Sequence, residues 1–464
     1  MIKKIFLLIF LCFLIKKIFT RSLENDFFII KKIEIFGNKK TKKIVILNEL
    51  SFKENDTIFI FKKFLNKISE SHKNLKNLSL FNFVKIENKK ENENILVKII
   101  VEERWYLWGN VDLKYVDRNF NSWLEKKDYN RINYGLGISK YNFRGQNEVL
   151  KIKFLLGFTE EFILDYRGFF FDKKRKNGIS MKFSFLRTNS YKFQTFENKT
   201  KFYKSEDEYI LKSIYPQIDY FYRRNFYQKH NFSIFYENVN ISDTLRKLNE
   251  NFLGKSKNSI KIFSFFYKFE IDKRDNKNYT LSGYFFEVNS KSIFFLNSNL
   301  NFIFSEIKYN FYKKIKKKFF LSFAYKFKKS LKKKIPFYLQ KTLGYGDYLR
   351  GFEYYVIDGE DFFLIKNNLK FEILGEKILH LKCISLKKFN KIHYAFYLNI
   401  FSDFAYVSSN FEDKYLNNYL SNRLLYSYGI GLDFVTYYDK VIRIEYSMNQ
   451  FFEKGFFLHF KSAI

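Results

Sequence analysis

The chain has 464 residues, a length that excludes a single small domain and fits one large β-barrel with a small companion domain. Its formal net charge is +35, but the basic residues are spread along the whole chain among Asn, Ile, Phe and Tyr. This spread favours a compositional bias over contact with acidic lipid head groups, and it argues against a nucleic acid partner.

The first residues are typical of a secretory signal peptide. A short basic stretch precedes an apolar run from Ile5 to Ile15, which is too short to span a bilayer as a helix. We therefore predict a signal peptide over residues 1–22 and export of the protein. The only cysteines are Cys12 and Cys383, so neither a disulfide framework nor a cysteine metal site is expected.

Residues 30–103 predict one small α+β domain with the element order β-α-α-β-β. The first strand ends at the turn signal Gly37-Asn38, and Thr41 is expected to cap the helix that follows. The apolar faces of the two helices are predicted to contain Ile44, Leu47 and Leu50 in the first, and Ile58, Phe61, Leu65 and Ile68 in the second.

From residue 104 to residue 464 the hydrophobic period changes to two. Ile442, Ile444 and Tyr446, for example, alternate with Arg443 and Glu445. A soluble sandwich would also alternate, but the charged loops and the aromatic content of 22% favour one face for lipid and one for a wet lumen. The predicted fold class is mainly β: a small N-terminal α+β domain followed by a transmembrane antiparallel β-barrel of about sixteen strands.

Four motifs follow one another in the predicted barrel, and their order is more informative than any one of them. They are Asn142, Phe143 and Gly145 in an early turn; Asp272, Arg274, Asp275, Asn276 and Gly283 in a middle turn; Leu349, Arg350, Gly351 and Phe352 in a loop; and Asp403 in a late strand.

The loop motif predicts a segment that folds into the barrel. Arg350 carries an always-charged group with five donors, and Gly351 permits close approach of the backbone. A buried guanidinium needs an acidic partner, and Asp403 is the one we predict. The alternatives are a solvated loop arginine and a lumen aspartate without a partner.

These motifs resemble those of the BamA/TamA superfamily of outer-membrane assembly and secretion barrels, in its single-POTRA, Bacteroidetes-type form (the bacterial surface antigen family). Residues 30–103 resemble a POTRA domain, although a ferredoxin-like or KH-like unit has a similar element order. The resemblance implies a periplasmic POTRA domain over 30–103 and an outer-membrane barrel over 104–464. The chain departs from the family at Thr280, where proline is usual, and at Ala405, where glycine is expected.

The resemblance implies an assembly factor that receives unfolded outer-membrane protein precursors and inserts them at a lateral seam by pairing of strands. Periplasmic chaperones, accessory lipoproteins and outer-membrane lipid are the further partners it implies. In the N-terminal domain, the surroundings of Ile33 and Val97 are expected to be strand edges for the same kind of pairing. The implied seam residues are Trp105, Leu107 and Val111 in the first barrel strand and Phe456, Leu458 and Phe460 in the last.

Two other functions stay open from the sequence. A secretion pore of the two-partner type would share these motifs, although such pores usually carry two POTRA domains and a plug helix. A passive porin has no use for an inward Arg-Gly-Phe loop. Hydrolase and phosphate-binding motifs are absent and the five histidines are scattered, so we expect no enzyme, no metal and no cofactor.

Overall fold

The computed structural model describes residues 27–115, 132–254, 257–298, 300–331, 335–381, 391–410, 416–436 and 440–460. The predicted signal peptide and both cysteines lie outside these ranges. The chain divides into two compact units: Glu49–Glu103 with the residues up to Lys39, and Lys40–Asn48 with the residues from Arg104 onward. No helix among the described residues is long and apolar enough to cross a bilayer.

The first unit is a four-stranded sheet with one long helix. The helix in this unit is α2 (Phe61–Asn77), whereas the short helix α1 (Lys43–Leu47) belongs to the second unit. The strands follow the order β2-β1-β4-β3, with β1 parallel to β4 and the other neighbours antiparallel. They are β1 (Phe28–Phe36), β2 (Thr57–Ile58), β3 (Phe81–Glu91) and β4 (Asn94–Glu103).

The predicted cap and face of the first helix are wrong. Lys42 occupies the N-cap position of α1 without a capping side-chain bond, and the buried helix residues are Val45 and Ile46. Ile44 and Leu47 are exposed. One helical turn offers too few residues for a 3.6-residue period to identify the buried side.

The face of α2 is also shifted from the prediction. Phe64, Ser71 and Leu75 are buried, whereas Leu65 is exposed. Ser71 fits among the apolar side chains because its hydroxyl donates to Lys67 O at 2.8 Å and accepts from the Ser51 amide at 2.9 Å. Because a serine looks like a surface residue in the sequence, this hydrogen-bonded Ser71 hides the buried face of α2 from sequence analysis.

Of the two strand edges predicted for this unit, one is in the centre of the sheet and one is on an outer side. Ile33 and Val97 are register partners in the parallel pair of β1 and β4. The last strand of the unit returns between β1 and β3, so the outer strands of the described sheet are β2 and the longer β3. Val97 therefore lies in the centre of the sheet. Ile33 lies on the outer side of β1, because β2 pairs only with Phe28 and Ile29, and the Ile33 amide donates to Glu54 Oε1 at 2.8 Å.

The second unit contains an antiparallel sheet of sixteen strands, which confirms the predicted fold class and strand number. Its order follows the chain from β5 to β22, except that a separate hairpin of β10 and β11 interrupts the sequence between β9 and β12. Besides α1, the described residues of this unit include the helix α3 (Asp243–Leu248) and a 3-10 turn at Phe337–Leu339.

The strands of this unit have the following bounds: β5 (Leu107–Tyr115), β6 (Ile132–Phe143), β7 (Glu148–Gly157), β8 (Thr159–Phe170), β9 (Asn177–Thr188), β10 (Ser190–Phe196), β11 (Lys199–Lys204), β12 (Leu211–Arg223), β13 (Gln228–Ile241), β14 (Ser259–Asp272), β15 (Gly283–Phe295), β16 (Asn301–Lys316), β17 (Phe319–Ser330), β18 (Asp361–His380), β19 (Lys391–Ser408), β20 (Leu424–Thr436), β21 (Lys440–Asn449) and β22 (Lys454–His459).

The two faces of the large sheet differ as the alternation predicts. Ile430 on β20 and Ile444 on β21 are 53% and 51% exposed, whereas Asp433, Arg443 and Glu445 on the same strands are 0% exposed. We call the face that carries these three charged residues the inner face. The opposite face presents a nearly continuous apolar surface, as a lipid-facing barrel wall requires.

Gly283 is required where β15 begins. Its φ is +104°, and a Cβ there would lie 2.1 Å from Lys273 O. We predict that Gly283→Ala lowers the free energy of unfolding by more than about 1 kcal/mol, because alanine resists both the backbone angle and the contact. The matched control is Gly109→Ala on β5, where a Cβ meets no atom within 4 Å. Urea unfolding in lipid vesicles measures both, and equal midpoints would contradict the prediction.

Candidate functional site

Arg350 lies on the loop between β17 and β18 and points to the inner face, where it is 0% exposed. Its Nε donates to Asp403 Oδ2 at 2.7 Å and its Nη2 donates to Asp403 Oδ1 at 2.5 Å. Asp403, on β19, is also 0% exposed. This is the pair that the sequence predicted, and its two parallel bonds fix the guanidinium in one plane.

The remaining donors of Arg350 reach two further strands. Nη1 donates to Asn368 Oδ1 on β18 at 2.7 Å and to Glu445 Oε1 on β21 at 3.3 Å. The guanidinium also lies over the Phe401 ring, with its Cζ 3.9 Å from the ring centroid. One side chain thus contacts β18, β19 and β21, and its charge is compensated by the Asp403 and Glu445 carboxylates.

The other residues of the loop motif allow this depth of insertion. Gly351 has a φ of +79°, and a Cβ there would lie 3.1 Å from the Ser427 Cβ. Its carbonyl accepts from Asn449 Nδ2 at 3.1 Å. Leu349 and Phe352, flanking this pair, belong to one buried apolar cluster formed with Leu343, Ile357, Phe362, Leu364, Ala405, Val407, Leu420 and Leu425.

A second buried ion pair lies beside the first. Arg443 on β21 donates from Nε to Asp433 Oδ1 at 2.5 Å and from Nη2 to Asp433 Oδ2 at 2.7 Å. Its Nη1 lies 3.6 Å from Glu445 Oε1, the oxygen that Arg350 also contacts. Asp403, Arg350, Glu445, Arg443 and Asp433 therefore form one chain of alternating charges, which we call the charge chain.

The middle turn motif reaches the far end of the charge chain. Asp275 accepts hydrogen bonds from the amides of Asn276, Leu281 and Ser282 at 2.8, 3.1 and 3.1 Å. Asp272 binds Arg274 through two bonds of 2.8 Å. These contacts shape the turn between β14 and β15 that carries Tyr279.

Tyr279 donates to Asp433 Oδ2 at 2.7 Å. Burial and the neighbouring Asp433 carboxylate hold the pKa of Tyr279 well above its ordinary value, so the hydroxyl stays a donor. In an antiparallel sheet, successive connections alternate between its two ends, so the Tyr279 turn and the Arg350 loop enter from opposite ends. The charge chain therefore joins two inward segments across the interior.

The early turn motif is shaped by its own side chains. Asn142 has a φ of +49°, and its Oδ1 accepts from the Asn147 amide at 2.8 Å. Its Nδ2 donates to Thr41 Oγ1 at 2.9 Å, so the threonine predicted as a helix cap is bound here instead. Gly145 has a φ of +73°, and the Phe143 ring contacts Tyr166 at a centroid distance of 6.1 Å.

The predicted seam residues lie on or beside the first and last strands of the sheet order. Their side chains are mostly exposed on the outer face, with Leu458 partly buried. The exposed fractions are 41% for Trp105, 46% for Leu107, 77% for Val111, 74% for Phe456 and 57% for Phe460. An exposed apolar surface at both strands is what contact with lipid requires.

Several inner-face residues were missed as parts of the site. Asp433, Arg443 and Glu445 could have been found, because each stands at a polar position of an otherwise apolar alternating strand. Tyr279, Glu353 and His459 carry no such signal, since only the tertiary fold brings them to the inner face. Glu353, Glu445 and His459 form a group of three potential metal ligands within the described residues.

Arg350→Ala tests the charge chain. Removal of the guanidinium leaves Asp403 and Glu445 buried with fewer partners, so we expect a loss of roughly 3–5 kcal/mol in unfolding free energy. The control Arg246→Ala removes a pair with Asp243 whose side chains are 31% and 70% exposed, and it should cost about 1 kcal/mol or less. Urea unfolding in vesicles measures the unfolding free energy of both variants. An equal loss in the two variants would contradict the prediction.

Tyr279→Phe tests the hydrogen bond that links the charge chain to the turn between β14 and β15. Loss of a hydrogen bond to a buried carboxylate should cost about 1.5–3 kcal/mol of unfolding free energy. The control is Tyr220→Phe, since Tyr220 donates to Asn177 Oδ1 at the same distance of 2.7 Å but is 39% exposed. The temperature at which the folded band disappears in a heat-modifiability gel should fall for Tyr279→Phe alone; an unchanged temperature would argue against the link.

Comparisons with known proteins agree with this architecture. The chain is similar to a solved structure of BamA from Haemophilus ducreyi lacking POTRA domains 1–3, with 15% identity, a TM-score of 0.50, and coverage of 91% of this chain and 81% of that one. It is also similar to CdiB from Acinetobacter baumannii, with 11% identity, a TM-score of 0.49, and coverage of 93% and 73%. The comparison with curated proteins finds no match.

The likeness to BamA shows the fold, so the sixteen-stranded sheet is that of a β-barrel. Residues 142–437 match the Omp85 superfamily domain. Barrel members of this superfamily are outer-membrane proteins that handle β-barrel or secreted polypeptide substrates. Since the match extends over more than half of the chain, the protein belongs to the Omp85 superfamily.

Proposed function

We propose that the protein is an outer-membrane assembly factor. Its first unit acts as a periplasmic POTRA domain that receives unfolded barrel precursors, and its barrel inserts them at a lateral seam between β5 and β22. The main observation in support of this proposal is that β22 is short. Its described part has 6 residues, whereas β18 has 20 and β19 has 18.

A short strand is the easiest one to exchange. β22 pairs with β21 only from Lys454 to His459, so few ladder hydrogen bonds hold it. Gly455 within it contributes no side chain to the wall, and Gly109 has the same effect on β5. A client strand can replace such contacts by β-augmentation with little net change in hydrogen bonding, which requires no nucleotide hydrolysis.

The Arg350 loop supports the wall next to this seam. Its bonds to Asp403, Asn368 and Glu445 hold β18, β19 and β21 in place. The neighbouring strands therefore keep their register while β22 is displaced. In this proposal the loop is a brace, and Arg350 acts through the wall and not on the client.

The outer strand β3 of the first unit is the proposed receiving edge. It has 11 residues, whereas the opposite outer strand β2 has 2. Lys85 and Lys89 on β3 have side chains that are 71% and 77% exposed. Charged side chains on an edge limit self-association, yet they leave its backbone groups available to an incoming strand.

Site-specific photo-crosslinking in cells tests the seam. With p-benzoyl-phenylalanine in place of Val111 or Phe456, we expect crosslinks to newly made barrel proteins, because both positions flank the entry site. The matched control is Ile218 on β12, which is 56% exposed on the outer face but far from the seam in the sheet order. Equal crosslinking at Ile218 would show lipid-side contact without a gate.

Depletion of the protein separates assembly from secretion. A general loss of barrel proteins from the outer-membrane proteome is expected for an assembly factor. Loss of one secreted polypeptide, with other barrels intact, would contradict this proposal and favour a secretion pore of the two-partner type. A disulfide that locks β5 to β22 should block insertion in the first case, whereas full activity of the locked protein would exclude the seam.

A further inference from the structure

We propose that Glu353, Glu445 and His459 form a binding site for a divalent transition-metal cation of the Zn²⁺ type, which tethers the inward loop to the last barrel strand. Glu353 comes from the loop, Glu445 from β21 and His459 from β22. One potential ligand atom from each residue lies within 4.8 Å of those of the others. The three groups are 1%, 0% and 12% exposed as side chains.

The separations of the ligand atoms are those of ligands that share one metal ion. His459 Nε2 lies 3.2 Å from Glu445 Oε2 and 3.5 Å from Glu353 Oε1. Two ligands at about 2.1 Å from a tetrahedral Zn²⁺ lie roughly 3.4 Å apart. Glu445 Oε2 and His459 Nε2 face each other at 3.2 Å without the alignment of a regular hydrogen bond.

The second ring nitrogen of His459 is arranged as in a metal-binding histidine. Its Nδ1 lies 3.3 Å from Tyr348 Oη, and the two rings stack with centroids 5.1 Å apart. When Nδ1–H donates to Tyr348, the lone pair of Nε2 points toward the carboxylates and is available to a cation. Tyr348 is a positioning residue in this arrangement.

The charges around the site leave room for a cation. Glu445 uses Oε1 toward Arg350 at 3.3 Å and Arg443 at 3.6 Å, whereas Oε2 faces His459. Burial raises the pKa of the Glu353 carboxyl, and the nearby His459 opposes that shift. A divalent ion bound to neutral His459 would compensate the two buried carboxylates in place of an imidazolium. One imidazole and two carboxylates suit Zn²⁺, whereas Mg²⁺ and Ca²⁺ prefer ligands that are all oxygen.

Zn²⁺ titration by calorimetry tests the site, with the full chain purified in detergent without a polyhistidine tag and treated with a chelator. We expect one Zn²⁺ per chain and no comparable binding of Mg²⁺. His459→Gln and Glu353→Gln should each weaken binding by more than about 100-fold, since even loss of an outer hydrogen bond costs roughly 10–100-fold. Tyr348→Phe removes such an outer hydrogen bond and should weaken Zn²⁺ binding by roughly 10–100-fold.

His230→Gln is the matched control. His230 lies on β13 and its Nδ1 is 3.0 Å from Tyr267 Oη, but it belongs to no group of metal ligands within the described ranges. Its substitution should leave Zn²⁺ affinity unchanged. If the variants fail to fold, Co²⁺ added to the unaltered protein should still give the visible absorption of a tetrahedral site.

Two results would overturn the proposal. Either the unaltered protein binds no Zn²⁺ and gives no Co²⁺ absorption, or His459→Gln and Glu353→Gln bind Zn²⁺ as tightly as His230→Gln. A protonated His459 paired with the two carboxylates would exclude the metal and produce the first result. None of these measurements depends on whether the barrel assembles or secretes its substrate.

Discussion

The structure of the barrel interior depends on the burial of one guanidinium. Arg350 has five donors and a charge that cannot be removed by deprotonation, so it can be buried only where several acceptors already stand in place. Asp403, Asn368 and Glu445 supply them from three strands. Loop and wall are therefore mutually dependent, because Arg350 requires these acceptors to be buried and Asp403 receives both parallel bonds of its pair from Arg350.

The charge chain extends this dependence through the interior. Glu445 places one oxygen near both Arg350 and Arg443, and Asp433 accepts from both Arg443 and Tyr279. A displacement of the loop at one end therefore changes the electrostatic environment of the turn at the other. Buried ion pairs of this kind contribute little net stability, but loss of one member is costly, so they specify one arrangement.

The sequence predicted the parts of this structure that local patterns encode. A period of two identified the strands and their inward positions, the length of the segment predicted about sixteen strands, and the Arg350 motif required an acid that Asp403 could provide. The buried face of α2 was predicted wrongly because it contains Ser71. Its hydroxyl is hydrogen-bonded inside the fold, but in the sequence a serine looks like a surface residue. The predicted edge at Val97 was wrong because pairing of β4 with both β1 and β3 is set by topology, and Glu353 and His459 meet only in the folded chain.

The last strand is held differently from the strands before it. Carboxylates and an amide of β18, β19 and β21 bind the loop through Arg350. The strand β22 meets the loop through His459, whose Nε2 lies 3.5 Å from Glu353 Oε1 and whose ring stacks on Tyr348, and through contact of Phe457 with Tyr354 at 5.3 Å. Ring contacts contribute only about 0.5–1.5 kcal/mol each beyond the area they bury. Displacement of β22 therefore breaks few ladder bonds and these weak ring contacts, but it must also break the contacts of His459 with Glu353 and Glu445. In the proposed assembly function, the His459 contacts are thus the main obstacle to exchange of β22, while the Arg350 bonds keep the wall in register.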